Sequence, residues 1–174
     1  MIKTFFKGVG YTFLSCVLSL MFVFFSVIFL KSTVMTVIAG LCTLFILCGL
    51  HINYAYFEAK RQRVSDKTQK KNFSLKVPFI MSMGAVLPLV AMWSVLMISR
   101  TGLIMDVLGI YKLANEHFLL ITAFMCDGIK ATEISTSDCL LLFAVNFIPF
   151  FPVFITYFIT YHEIDIRKKI FYEK

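Results

Sequence analysis

Apolar residues in this chain form four long blocks that are separated by more polar segments. The blocks cover residues 11–30, 34–57, 77–98 and 139–161, and none of them contains Lys, Arg, Asp or Glu. Each block is 20 to 24 residues long, and an α-helix of about 20 residues crosses the ~30 Å hydrocarbon core of a bilayer. The pattern therefore predicts an all-α membrane protein, a four-transmembrane-helix bundle that forms a single integral membrane domain over residues 1–174.

The composition is not that of a water-soluble domain. Hydrophobic residues make up 59% of the chain and the mean hydropathy is +0.84, whereas soluble domains contain about 45–50% apolar residues. Transmembrane β-strands would appear as segments of about ten residues with alternating apolar and polar positions, and the four blocks lack that alternation. The abundance of Phe, Ile and Lys is typical of small membrane proteins of low-GC Gram-positive bacteria, which favours a bacterial plasma membrane.

Positive charge is divided unevenly between the two sides that four spans would define. Thirteen of the seventeen basic residues lie before the first block, between the second and third blocks, or after the fourth. Because basic residues accumulate on the cytoplasmic side of a membrane, we expect both termini and the basic loop 58–76 to be cytoplasmic. We expect these charges to attract anionic lipid headgroups. Nucleic-acid binding is not expected, because Phe73 is the only aromatic residue among the charges of 60–76.

The segment 99–138 is the large connection on the opposite, extracytoplasmic side. Apolar residues recur at helical spacing in its first part, at Leu103, Ile104, Val107, Leu108 and Tyr111. This spacing predicts an interfacial segment between the third and fourth spans, with a short helix lying in the outer membrane interface. The apolar run 117–125 is too short to span a bilayer. A fifth span over 103–125 would bury the charges of Lys112 and Glu116, so we expect four.

Asn146, Pro149 and Pro152 interrupt the fourth block. Proline removes a backbone donor and bends or breaks a helix, so we expect 146–152 to be bent or locally unwound. Two interpretations of Asn146 are open. Its amide forms a hydrogen bond across a helix interface, or the break exposes carbonyl groups to an ion or ligand, as the broken helices of transporters do. Pro88 predicts a further bend in the third block.

His51 and Asn53 are polar residues near the inner end of the second block. Together with Asn146, Pro149 and Pro152 they form a speculative intramembrane polar site. An ionisable group at this depth suits a proton relay, and the alternative is a hydrogen-bonded interfacial histidine. The sequence at 162–165 contains one histidine and two acids but lacks the paired histidines of a zinc helix. We therefore expect neither a metal nor a cofactor.

The cysteines fall into two groups. Cys16, Cys42 and Cys48 lie inside the blocks, where a thiol acts as a small apolar group. Cys126 and Cys139 lie in the outer connection and at the start of the fourth block. A disulfide between these two is possible in an oxidising compartment, and it would hold 127–138 against the bundle.

No motif in the sequence identifies a reaction. Asp106, Asp127 and Asp138 lie in outer segments without the motifs of a membrane aspartyl protease, and hydrolase and metalloprotease patterns are absent. The leading hypothesis is a non-catalytic subunit or scaffold that acts through helix–helix contacts with a membrane-protein partner or with itself. The alternative is an oligomeric transporter or channel component that uses the break at 146–152. A lipid-modifying membrane enzyme is the third possibility.

Overall fold

The computed structural model describes residues 2–26, 32–70, 72–126 and 130–164 as an all-α bundle. The α-helices are α1 (Ile2–Ser26), α2 (Thr33–Gln69), α3 (Lys76–Arg100), α4 (Leu108–Ala114), α5 (Leu119–Met125), α6 (Thr136–Val145) and α7 (Phe150–His162). Helices α1, α2 and α3, and α6 and α7 taken together, are long and apolar enough to span a membrane. The predicted bundle of four apolar spans is therefore confirmed.

Helix α2 continues well beyond the second apolar block. It ends at Gln69, and Lys70 follows with a left-handed φ of 52°. The segment 58–69 contains neither Gly nor Pro, and one side of it is buried at Glu58, Ala59 and Asp66. Most of the predicted basic loop is consequently a helical extension. The connection between the first two blocks is described only from Ser32 onward, because 27–31 lie outside the described residues, as does the basic tail 165–174.

Helices α1 and α3 cross in direct backbone contact. A Cβ added to Gly84 would lie 2.5 Å from the carbonyl O of Phe5, and a Cβ added to Gly8 would lie 2.9 Å from the carbonyl O of Met81. Small residues allow this approach, which is how helices associate in membranes, where there is little hydrophobic gain from burying one apolar surface against another.

Ion pairs and hydrogen bonds gather the charged ends of three helices. Glu58 on α2 pairs with Lys7 of α1 and, at 2.7 Å, with Arg61. Arg63 on α2 pairs with Glu163, which follows α7. The start of α1, the end of α2 and the end of α7 therefore lie together at one end of the bundle, which we call the basic end. That this end faces the cytoplasm stays a prediction.

Between α3 and α6 the chain folds back into the bundle. Helix α4, a 3₁₀ turn at Glu116–Phe118 and helix α5 form a re-entrant hairpin. The Sγ of Cys16 on α1 donates to the carbonyl of Ala114 at 3.0 Å, and the Oγ1 of Thr43 on α2 lies 3.5 Å from the carbonyl O of His117. Thr43 is ten residues from the start of α2, a distance of about 15 Å. The hairpin tip thus reaches roughly half of the ~30 Å hydrocarbon depth.

Part of the predicted interfacial segment is buried in this hairpin and does not lie on the membrane surface. Leu103 and Met105 are 79% and 78% exposed and precede the helix, whereas Leu108 and Tyr111 are buried against Leu96 of α3. The hairpin does not become a fifth span, because two seven-residue helices turn back at mid-depth. The charge of Lys112 is accommodated because its Nζ donates to the carbonyl of Cys126 at 2.5 Å, at the end of α5.

We predict that Gly84→Ala destabilises the protein by about 1–3 kcal/mol through overpacking, because the new methyl group meets the backbone of Phe5. A matched control is Gly49→Ala, where an added Cβ has no neighbour within 4 Å. The control should leave stability unchanged or raise it, since Ala favours helix over Gly by about 1 kcal/mol. Thermal unfolding in detergent micelles measures both, and equal melting temperatures for the two variants would contradict the close crossing.

Candidate functional site

The inward face of α1 consists of small residues, four of which are buried: Gly8, Thr12, Ser15 and Ser19. Their spacing of four, three and four residues places them on one side of the helix. Ser15 donates to the carbonyl of Thr12 at 2.8 Å, while the Oγ of Ser19 has no hydrogen-bond partner among the described residues. The first span therefore presents hydroxyl groups to the interior of the bundle.

Thr12 and His51 connect three spans. The Oγ1 of Thr12 lies 2.8 Å from the carbonyl O of Ala85 on α3 and 3.1 Å from the Nε2 of His51 on α2. The Nδ1 of His51 lies 2.8 Å from the carbonyl O of Leu47. In a neutral ring Nδ1 therefore carries the hydrogen and Nε2 is the acceptor. The single hydroxyl hydrogen of Thr12 therefore has three acceptors within reach, which are the carbonyl of Ala85, the ring of His51 and, at 3.2 Å, the carbonyl of Gly8.

The tip of the re-entrant hairpin places three polar residues in the interior. Asn115 and His117 are fully buried, and Glu116 is 8% exposed. The tip packs against α1 and α2. The amide of Asn115 donates to the carbonyl of Tyr111 at 3.0 Å, but its Oδ1 has no partner in the described part of the chain. The tip thus places a carboxyl group, an imidazole and an amide in the middle of the bundle.

Burial sets the protonation of these tip residues, which lie between the third and fourth spans. Burial raises the pKa of the Glu116 carboxyl to about 7. Burial, and then the nearby charge of His51, lower the pKa of His117 to about 3. Both directions have the same cause, since a low-dielectric interior disfavours the charged form of either group. His117 is therefore neutral at pH 7, whereas the Glu116 carboxyl titrates near pH 7.

Asn146 lies at a break in the last span. Helix α6 ends at Val145 and α7 begins at Phe150, and the residues between them make tight bonds such as the Ile148 N–H to the Val145 carbonyl at 2.9 Å. Pro149 cannot donate to the carbonyl of Asn146, three residues earlier. The predicted unwinding is present, and the side chain of Asn146 is fully buried there.

Six buried polar atoms in this region have no hydrogen-bond partner among the described residues. They are Oδ1 of Asn115, Oε2 of Glu116, Nδ1 and Nε2 of His117, and Nδ2 and Oδ1 of Asn146. Phe118 and Val145, the chain neighbours of His117 and Asn146, pack in one cluster with Leu47 and Leu89. We call the set Thr12, His51, Asn115, Glu116, His117 and Asn146 the polar core.

A cavity of about 190 Å³ lies beside the polar core. Its walls include Thr12 and Cys16 of α1, Pro88 of α3 and Ala114 of the hairpin. Pro88 removes a backbone donor inside α3, which is where helices bend and leave space. The cavity is mainly apolar, and the hydroxyl of Thr12 connects it to His51.

The structure brings together only some of the residues predicted from the sequence. His51 and Asn146 belong to the polar core, Pro149 is buried in the break, and Pro152 is partly buried in the first turn of α7. Asn53 is exposed on the outside of α2 and lies apart from the core.

The predicted disulfide concerns a separate cluster near the C-terminal ends of α3 and α5. Cys126 and Cys139 are buried together there with Leu96 and Tyr111, and the indole of Trp93 donates to the carbonyl of Cys139 at 3.0 Å. Both thiols are free in the structure. The disulfide stays a prediction.

Sequence reasoning missed Asn115, Glu116 and His117 as site residues, because it placed them outside the membrane. The available signal was three consecutive polar residues between the segments 108–114 and 118–126, which are mostly apolar. Such a pattern is too short for a span and too apolar for a loop, which suits a re-entrant hairpin with a polar tip. Thr12 was missed because a single hydroxyl in an apolar helix carries no signal of its own.

Among the described residues, no group of three or more His, Cys, Asp or Glu side chains is arranged to hold a metal ion. Comparison of the chain with protein families, curated proteins and solved structures finds no match. The properties of the polar core therefore rest on its own geometry.

We predict that Gly40→Ala displaces the re-entrant hairpin, because an added Cβ would lie 2.6 Å from the Cβ of Leu120 and 2.9 Å from its backbone N. Displacement exposes Cys126, which is fully buried at the end of α5. Maleimide labelling, resolved by peptide mass spectrometry, should therefore modify Cys126 faster in this variant than in the wild type.

The matched control is Gly109→Ala on α4, where an added Cβ has no neighbour within 4 Å. It should label at the wild-type rate. Equal labelling of Cys126 in the wild type, Gly40→Ala and Gly109→Ala would contradict the insertion of the hairpin against α2.

Proposed function

We propose that the protein is a membrane transport component, a small transporter or channel subunit whose polar core conducts a small polar solute across the bilayer. The observation that carries this proposal is the set of six unpartnered polar atoms on the tip of the re-entrant hairpin and at the break of the last span, whose neighbours Phe118 and Val145 pack in one cluster. The leading hypothesis from the sequence, a non-catalytic scaffold, assumed few polar groups near the core. The folded chain buries several of them together.

The energetic cost of the polar core supports a functional role. A buried donor or acceptor without a partner costs about 1–3 kcal/mol, and ionisable residues inside a membrane domain commonly mark substrate or proton pathways. Non-helical backbone at membrane depth is tolerated where it is buried in protein or lines a cavity. The hairpin tip and the break at 146–149 are two such elements.

The chemistry of the polar core suggests the class of solute. The side chains of Asn115, His117 and Asn146 offer both donors and acceptors but carry no charge when His117 is neutral. Glu116 supplies a carboxyl that titrates near neutral pH. A small polar solute, with proton movement through Glu116, fits this set better than a fixed ion does. Transport rather than catalysis is proposed, because these groups lie enclosed at mid-depth.

A second proposal keeps the role of a subunit that acts through helix contacts. Gly10 on α1 and Gly49 on α2 are exposed on the outside of the bundle, and neither has a neighbour within 4 Å of an added Cβ. Glycine on a lipid-facing helix surface allows another helix to approach closely. These two positions are therefore available for self-association or for a membrane-protein partner, as an oligomeric transporter requires.

The transport proposal predicts that Asn146→Leu lowers flux about fivefold in reconstituted vesicles, because it removes the amide NH₂ donor and the carbonyl acceptor, and a single hydrogen bond is worth about 1 kcal/mol. Suitable probes are proton flux, followed with an entrapped pH dye, and uptake of glycerol and urea, followed by light scattering. Asn53→Leu is the matched control, since Asn53 is exposed on α2. Flux through wild-type vesicles equal to that of protein-free vesicles for every probe would contradict the proposal.

The subunit proposal predicts that Gly10→Leu or Gly49→Leu weakens self-association or co-purification in mild detergent, since the larger side chain holds a neighbouring helix away. Crosslinking in native membranes followed by size analysis measures the change. Leu20→Ile on the exposed side of α1 serves as the control for a change in side-chain shape alone. A wild-type protein recovered only as a monomer without partners would argue against this role.

A further inference from the structure

A groove runs between the start of α3 and the middle of α7, near the basic end. It has a volume of about 520 Å³ and is lined by Leu75, Lys76, Phe79, Ile80 and Phe154. Behind it, Met81 of α3 and Val153 of α7 are fully buried in one cluster. The groove is therefore an outward-facing furrow over a packed helix contact, separate from the polar core.

Aromatic rings form one side of this groove. The rings of Phe79 and Phe150 lie 6.0 Å apart edge to face, and Phe150 stacks on Phe154 at 5.8 Å. Phe79 is nevertheless 51% exposed. Rings that support one another in this way keep the furrow open, and the apolar surface that they leave uncovered suits a flexible hydrocarbon chain.

Lys76 supplies the one charge of the groove. It is the first residue of α3, and that first turn contains no acidic residue. Its ammonium has no hydrogen bond or ion pair among the described residues, whereas Lys7, Arg61 and Arg63 at the same end are paired with carboxylates. The N-terminus of a helix adds positive potential at this point. An anionic group beside Lys76 would neutralise both the ammonium charge and the positive potential of the helix N-terminus.

The two features have the arrangement of a phospholipid, with an apolar furrow along the helices and an unpaired cation at the basic end. We propose that the groove binds an acyl chain of an anionic phospholipid whose phosphate group lies against Lys76. This is a specific site and goes beyond the general attraction of basic residues to an anionic membrane surface. It is also independent of transport through the polar core.

The test uses the full chain in mild detergent and native mass spectrometry with dioleoyl phosphatidylglycerol and dioleoyl phosphatidylcholine. The wild type should retain more of the anionic lipid. Lys76→Gln should reduce that preference about fivefold, the factor expected for one lysine at an anionic lipid surface. Ile80→Trp should fill the furrow and reduce retention of both lipids.

Two control variants separate the groove from its surroundings. Lys67→Gln removes an exposed charge at the end of α2, and Phe45→Trp enlarges an exposed ring on the outside of α2; both should bind lipid as the wild type does. Thermal melting confirms that each variant is folded, and Lys76→Gln changes only an exposed side chain. Unchanged lipid preference in Lys76→Gln, or an equal loss in Lys67→Gln, would overturn the proposal.

Discussion

The close crossing of α1 and α3 is the contact on which the rest of this structure depends. Gly8 and Gly84 let the two backbones meet, and helices in a bilayer associate through such packing because the lipid is as apolar as their side chains. The crossing also brings the hydroxyl of Thr12 to the carbonyl of Ala85 and to the ring of His51. A contact made by small residues thus carries polar groups into the interior.

The re-entrant hairpin follows from the space that this arrangement leaves. Gly40 allows α5 to lie directly against α2, and Cys16 of α1 meets the carbonyl of Ala114. Two seven-residue helices can enter only because their tip turns back at mid-depth, where Asn115, Glu116 and His117 become buried without full hydrogen bonding. The buried polar atoms without partners are thus confined to the interior of the bundle, and the lipid-facing surface is apolar.

The basic end and the middle of the bundle differ in how their polar groups are satisfied. At the basic end, charged side chains reach water and one another, so that Glu58 finds both Lys7 and Arg61. At mid-depth, polar atoms of Asn115, Glu116, His117 and Asn146 have no hydrogen-bond partner in the described part of the chain. The transport proposed for the polar core and the lipid binding proposed for the groove beside Lys76 therefore use separate parts of one small fold.

The sequence by itself determined the number of the apolar spans, because a bilayer requires about 20 apolar residues for each crossing and no block contains a charge. It also located the break at Asn146 and Pro149, because proline cannot donate to a helix ladder. These are local properties, and each can be derived from a short stretch of chain.

Only the tertiary structure decided which polar residues meet. Glu116 and His117 were assigned to the outside from their charge and polarity, yet the folded hairpin buries them near His51 and Cys16. Asn53, equally polar and two residues from His51, points away from the core. Whether a polar residue is buried or exposed depends on how four helices and a hairpin pack around one another. The hydropathy along the chain does not determine that packing.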